Sequence, residues 1–423
     1  MVKLVAVRCR CENDYTFVAV GMGGLVMRRW AILLLLAGMA LPALAAKSLS
    51  IEQLEQLLVA NQGKSDTHVA QQLADVELTE RVNPDRLAKW EKNFPGPKTR
   101  ETLMRLADAA AFLKTATPDL VPIAAPDSDT QEKMLALANE YVKTTITRLP
   151  NFYATRETTH FEDAPAQEQV SAASAPSTGW RSRPLGLSFG KTESKPMHST
   201  GTTSTTVAYR DGYEVHDAGG AKDSKDNRPT AGLTTRGEFG PILSVVMGDV
   251  IHSQVAWSHW EHSAGDPLAV LRYTIPEDQS NYQVRIPNGT KLDEVYPGYH
   301  GEIAIDPATG SILRVSIVAD LTGPYQTLQT AVLVEYAPVT IGDRTYICPV
   351  HGVAFSKAPV AGATPDAQGA VTVQTQLNDV AFTQYHLFGS EARIVADEKG
   401  NDTGNTPGAN SGAPPSPPSV SPH

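Results

Sequence analysis

Six consecutive residues, Trp257-Ser258-His259-Trp260-Glu261-His262, form the densest group of reactive side chains in the sequence. On a strand, Trp257, His259 and Glu261 would face one way, and Ser258, Trp260 and His262 the other. His259 and Glu261 on one face are candidate metal ligands, provided a neighbouring strand supplies a third. The spacing is not the His-Glu-x-x-His of a helical zinc protease. A metal-dependent hydrolase is therefore one reading, resting on an incomplete ligand set. The two tryptophans suggest that each side of this strand meets apolar material, with core on one side and a helix or ligand on the other.

Cys348-Pro349-Val350-His351 places a thiol near an imidazole in sequence. In a strand the two point to opposite faces, which argues against nucleophile activation and for a buried structural cysteine. Tyr299-His300-Gly301-Glu302 offers acid–base groups without an identifiable partner. The sequence contains no Gly-x-Ser-x-Gly elbow, phosphate loop or dinucleotide fingerprint. No cofactor and no catalytic residue are expected.

Two kinds of element must carry these groups. From Ser50 to Leu149 the apolar period is helical: Ile51, Leu54, Leu57 and Leu58 share a face, and Ser50 with Gln53 forms a capping box. Val69, Leu73 and Val76 predict a second helix, and Asn83-Pro84 opens a third through Trp90. Leu103, Leu106, Ala110 and Leu113 predict a fourth; Ser128 with Gln131 caps a fifth that buries Met134, Leu135, Ala138, Tyr141, Val142 and Ile146.

Beyond Pro150 the period becomes two. A strand covers Asn151 to Glu162, and a stretch rich in Ser, Thr, Ala, Pro and Gly near 163–205 reads as a mobile loop. Hairpins are predicted about Asp211-Gly212, Asp306-Pro307-Ala308-Thr309-Gly310 and Gly342-Asp343. Val371 to Phe382 and Tyr385 to Val395 read as closing strands, and 397–423 as a disordered tail. The expected fold class is α+β: a helical region at 47–149, then a large, curved, half-barrel-like antiparallel sheet over 150–396.

The chain has 423 residues, 41% apolar and 19% charged, with net charge −10. The excess of acidic residues speaks against a general electrostatic grip on nucleic acid. Met27-Arg28-Arg29, an apolar run from Trp30 to Leu41 and an exit at Pro42-Ala43-Leu44-Ala45-Ala46 have the layout of a secretory signal. The apolar run is shorter than the roughly 20 residues of a membrane span, although a retained anchor is the alternative. The expected translation start is Met22 or Met27, with 1–46 read as leader and signal peptide and cleavage expected after Ala45 or Ala46. Loss of five basic and two acidic leader residues takes the charge from −10 to −13, and Cys9 and Cys11 leave Cys348 alone. The expected location is periplasmic or extracellular, with no stable membrane span after cleavage.

The segment Tyr299 to Val315, a strand, an Asp-Pro-x-Thr-Gly turn and a strand carrying Arg314, resembles the central hairpin of the outer-membrane lipoprotein carriers (the LolA/LolB/RseB-like fold). Leu149-Pro150-Asn151-Phe152-Tyr153-Ala154-Thr155-Arg156, Leu377-Asn378-Asp379-Val380-Ala381-Phe382 and Glu77-Leu78-Thr79-Glu80-Arg81 resemble an uncharacterised family of bacterial secreted proteins. The carrier resemblance implies a curved sheet holding a lipid, an acyl chain or an apolar protein segment, with Trp257, Trp260, Tyr273 and Phe355 as lining candidates. The rival is an envelope interaction or scaffold module.

Overall fold

The computed structural model describes residues 47–388, except 165–166, 172–187, 193–194, 217–232, 234, 236, 264, 289–290 and 360–371. The expected leader and tail lie outside the described residues. Those described include six α-helices: α1 (Ile51–Ala60), α2 (Asp66–Leu73), α3 (Pro84–Asn93), α4 (Pro97–Ala109), α5 (Ser128–Thr145) and α6 (Pro241–Val250).

The described residues begin with β1 (Lys47–Leu49), which pairs in parallel with β2 (Val76–Leu78). A ten-stranded antiparallel sheet follows, built from β3 (Phe152–Ala164), β6 (Lys195–Arg210), β7 (Tyr213–His216), β8 (Gln254–Glu261), β9 (Leu268–Ile275), β12 (Gly298–Ile305), β13 (Ile312–Asp320), β14 (Gln329–Ile341), β15 (Arg344–Pro359) and β16 (Val373–Leu387). Its order is β7-β6-β3-β16-β15-β14-β13-β12-β9-β8. The sheet is open, and with the helices gathered mainly in the N-terminal part the fold is α+β. Two hairpins stand apart: β4 (Gln167–Ser171) with β5 (Ser188–Thr192), and β10 (Val284–Asn288) with β11 (Lys291–Val295).

Local chemistry accounts for most of the helix ends. The Ser50–Gln53 capping box forms in both directions, and Asn83 accepts from the Asp85 N–H ahead of Pro84. The α5 cap is Asp127, one residue earlier than the predicted Ser128, with its Oδ1 accepting from the Thr130 N–H at 2.8 Å. Val76 leaves the second helix to pair in β2, and Leu113 lies past the end of α4 and is exposed.

One face of the sheet buries Leu271, Tyr273, Tyr299, Ile303, Val315 and Val334 against α5 and α6. Helix α6 has no apolar stripe to mark it, because Ile242, Leu243, Val246, Met247 and Val250 bury most of its circumference. Helices α1 to α4 form a separate core around Ile51, Leu54, Leu73, Trp90, Leu103 and Leu106. Through α4 and the residues after it this layer meets the opposite sheet face, where Met104, Ala111 and Phe112 pack on Phe161, Leu333 and Leu377.

Three sequence expectations need correction. The stretch 163–205 is not simply a loop: it contains β4, β5 and the larger part of β6, whose Thr202, Thr203, Ser204 and Thr205 pair with β3. Threonine is β-branched and suits a solvated strand, so polarity there does not signal irregular structure. From Val373 to Leu387 the expected closing strands are one, β16, which continues through a bulge with Gln384 at φ 52° instead of turning back, while 389–395 lie outside the described residues. Finally, β8 carries a bulge between Trp257 and His259 that changes its facing pattern.

Candidate functional site

The β8 bulge decides where the tryptophans go. Trp257 pairs with Leu271 and Trp260 with Ala269, so both lie on one face, in edge-to-face contact at 4.9 Å between ring centroids. The expected division of the tryptophans between two faces is therefore wrong. The chain itself covers Trp260: its indole N–H donates to the Ala124 carbonyl at 3.0 Å, and Val121 donates to the Trp260 carbonyl. Tyr273 is buried core, its hydroxyl donating to the Ser316 carbonyl at 2.6 Å. Phe355 lies on the opposite sheet face from Tyr273, tilted against Phe112. Trp257, Trp260, Tyr273 and Phe355 do not converge on one site.

His259 and Glu261 do share a face, paired with Val270 and Leu268, and their Nε2 and Oε2 atoms are 3.5 Å apart. What joins them is positive charge. Arg314 grips Glu261 with both guanidinium nitrogens, at 3.0 and 2.7 Å, and Arg81 donates to its Oε1 at 2.5 Å. Glu261 is 1% exposed. Burial would push its carboxyl up, but Arg314, the His259 hydrogen bond and Arg81 outweigh that and hold it far below the usual carboxylate range. The two guanidiniums take the lone pairs a metal would need, so this carboxylate serves structure. Arg81 comes from the loop after β2, and the cluster ties the helical layer to β8 and β13.

Beside it, cross-strand pairing aligns Arg314, Glu335 and His351 across β13, β14 and β15. His351 Nδ1 lies 3.1 Å from Glu335 Oε2, and Nε2 lies 2.8 Å from Asp379 Oδ2 on β16 and 3.5 Å from Asp108 Oδ1 on α4. Burial opposes a charged imidazole, yet hydrogen bonds to Asp108, Asp379 and Glu335 raise His351 well above an ordinary histidine. Burial and the neighbouring Asp379 push Asp108 up, against the pull of His351. The Glu335 carboxyl, despite burial, is held low by His351 and Arg314.

These groups form the polar end of a cavity of about 360 Å³ between the helical layer and the sheet. Leu87 of α3 and Met104 and Ala107 of α4 wall one side, and Leu333 and Val353 the other. Ala88, exposed on α3, stands at its edge. Cys348 is elsewhere, buried with Phe152, Tyr209 and Phe382, so it does not meet His351. Burial pushes its thiol up to about 12. Tyr299 and His300 also separate: Tyr299 donates to Asp249 at 2.8 Å, while His300 pairs with Asp320.

Sequence reasoning singled out His351 only as a neighbour of Cys348 and missed Asp108, Glu335 and Asp379. Asp379 lies in Leu377-Asn378-Asp379-Val380-Ala381-Phe382, where an acid inside an apolar strand was the available signal. Asp108 in Leu106-Ala107-Asp108-Ala109-Ala110 is the same signal on a helix.

The chain matches no protein-family model, no curated protein and no solved structure. Among the described residues no helix is long and apolar enough to cross a membrane.

Proposed function

We propose that this is an exported binding protein that holds a small amphiphilic molecule in the cavity between α3, α4 and the sheet. The observation that carries the reading is the cavity's mixed lining, in which apolar side chains adjoin the charged cluster of Asp108, Glu335, His351 and Asp379, with Arg81 and Glu91 as further charged residues. Its volume of about 360 Å³ falls within the roughly 300–1,000 Å³ of small-molecule sites. An acyl chain or comparable apolar body would lie along Leu87, Met104, Leu333 and Val353, with a polar end toward Arg81 and His351. The likeness of residues 299–315 to lipoprotein carriers and the secretory layout of 27–46 point the same way.

Purification without detergent, solvent extraction and mass spectrometry of the extract test the proposal, together with titration of the fluorescent fatty acid cis-parinarate. The reading expects a co-purifying amphiphile or saturable probe binding, and at least about tenfold weaker probe binding in Ala88→Trp, which narrows the cavity from its exposed edge. An empty extract and no saturable binding by folded protein would overturn it.

A further inference from the structure

The geometry points to a divalent metal site formed by Asp108, His351 and Asp379, with Glu335 as the group that orients His351. One ligand atom from each of the three residues lies within 4.8 Å of the others. They come from α4, β15 and β16, so the site exists only when the helical layer is seated on the sheet. The ligands are one imidazole nitrogen and two carboxylates. That mixture suits zinc and related first-row ions better than calcium or magnesium, which prefer oxygen alone.

Three observations take this beyond a cluster of acids. Asp108 is 2% exposed, and its Oδ2 is buried without a hydrogen-bond partner among the described residues, beside the cavity. A buried carboxylate oxygen without a donor is costly unless the group takes up a proton or a cation faces it. His351 Nε2 is turned toward Asp379 and Asp108 while Nδ1 meets Glu335. A carboxylate on the second ring nitrogen is the usual support of a metal-bound histidine, since it fixes the ring and its tautomer. Asp108 is also the penultimate residue of α4, where the helix's negative end further favours a cation.

Three protein ligands leave at least one coordination position for another group, and all three residues line the cavity. This is the pattern of zinc sites that bind an exogenous group, as opposed to closed structural sites with four protein ligands. The site stands on its own ligands and does not depend on an amphiphile occupying the cavity.

The test is isothermal titration of the full, chelator-stripped protein with Zn²⁺, repeated with Mg²⁺ and Ca²⁺, and the visible spectrum of the Co²⁺ form. The expected result is one Zn²⁺ per chain, at least about 100-fold tighter than Mg²⁺ or Ca²⁺, and Co²⁺ bands of a low-coordinate site. Asp108→Asn, which keeps the side chain's shape, should retain a wild-type circular-dichroism spectrum and lose at least about 100-fold in Zn²⁺ affinity. Glu335→Gln should lose about 10–100-fold, as removal of a histidine-supporting carboxylate does. No stoichiometric Zn²⁺ uptake, or unchanged affinity in folded Asp108→Asn, would overturn the site. Lipid extraction and cis-parinarate titration read the amphiphile proposal separately, so either can fail alone.

Discussion

Arg81 and Glu261, 180 positions apart in the chain, meet at 2.5 Å with both side chains at most 5% exposed. Arg314 completes the pair from β13, so one carboxylate fastens the helical layer to the sheet. Removing one partner of such a buried pair leaves uncompensated charge. Glu261→Gln is expected to cost about 3–5 kcal/mol of unfolding free energy in urea titration. Arg285→Gln, which breaks the exposed Arg285–Glu294 pair, should cost less than about 1 kcal/mol. Equal effects would refute the buried cluster's structural role.

Acid should expose the same group. The Glu261 carboxyl is depressed in the folded protein relative to its ordinary value of 4.5. A depressed group contributes stability above its unfolded pKa and loses it as pH falls toward the folded one. The stability gap between wild type and Glu261→Gln should therefore be level from pH 7 to about 5 and shrink steadily below 4.5. Urea titrations at pH 7, 5, 4 and 3 measure it; a gap unchanged at pH 3 would contradict the assignment.

The thiol of Cys348 should be inert in the native protein. It is fully buried, and burial pushes the thiol up to about 12, which disfavours the thiolate at pH 8. Iodoacetamide followed by peptide mapping should leave the Cys348 peptide unmodified until urea is added. Rapid native labelling would show that its cluster opens.

Gly310 sits at φ 75° in the β12–β13 turn, and a Cβ there would come 2.6 Å from the Leu137 carbonyl of α5. Gly212 has φ 87° in the β6–β7 turn with open space around it. Gly212→Ala should cost about 1 kcal/mol from backbone strain alone, and Gly310→Ala clearly more, because α5 must shift. Thermal melts compare the two. Equal losses would mean that the turn does not bear on the helix.

Much of this fold was legible where one residue type has one physical meaning. Ser50 with Gln53, Asn83 before Pro84, and the turns at Asp211-Gly212 and Gly342-Asp343 all behave as their chemistry requires. The site was less legible. Alternation placed His259 and Glu261 correctly on one face but failed for the tryptophans, because a bulge reverses the pattern without marking the sequence. Asp108, His351 and Asp379 are neighbours only through the docking of α4 on β15 and β16, a relation no local period encodes. Helix α6 escaped because an all-apolar helix reads like a buried strand.

The place of β16 has a consequence for how the chain acquires its shape. This late strand lies between β3 and β15, and it brings Gln384 to Thr155 across 229 positions. Without it the sheet divides into a ribbon of three strands and another of six. Such distant pairing makes folding slow, since the loop must close before the contacts reward it. A nascent chain halted before Val373 cannot join its two ribbons, however much of it has emerged. On the export proposed above, that delay would keep the polypeptide threadable while it is being made.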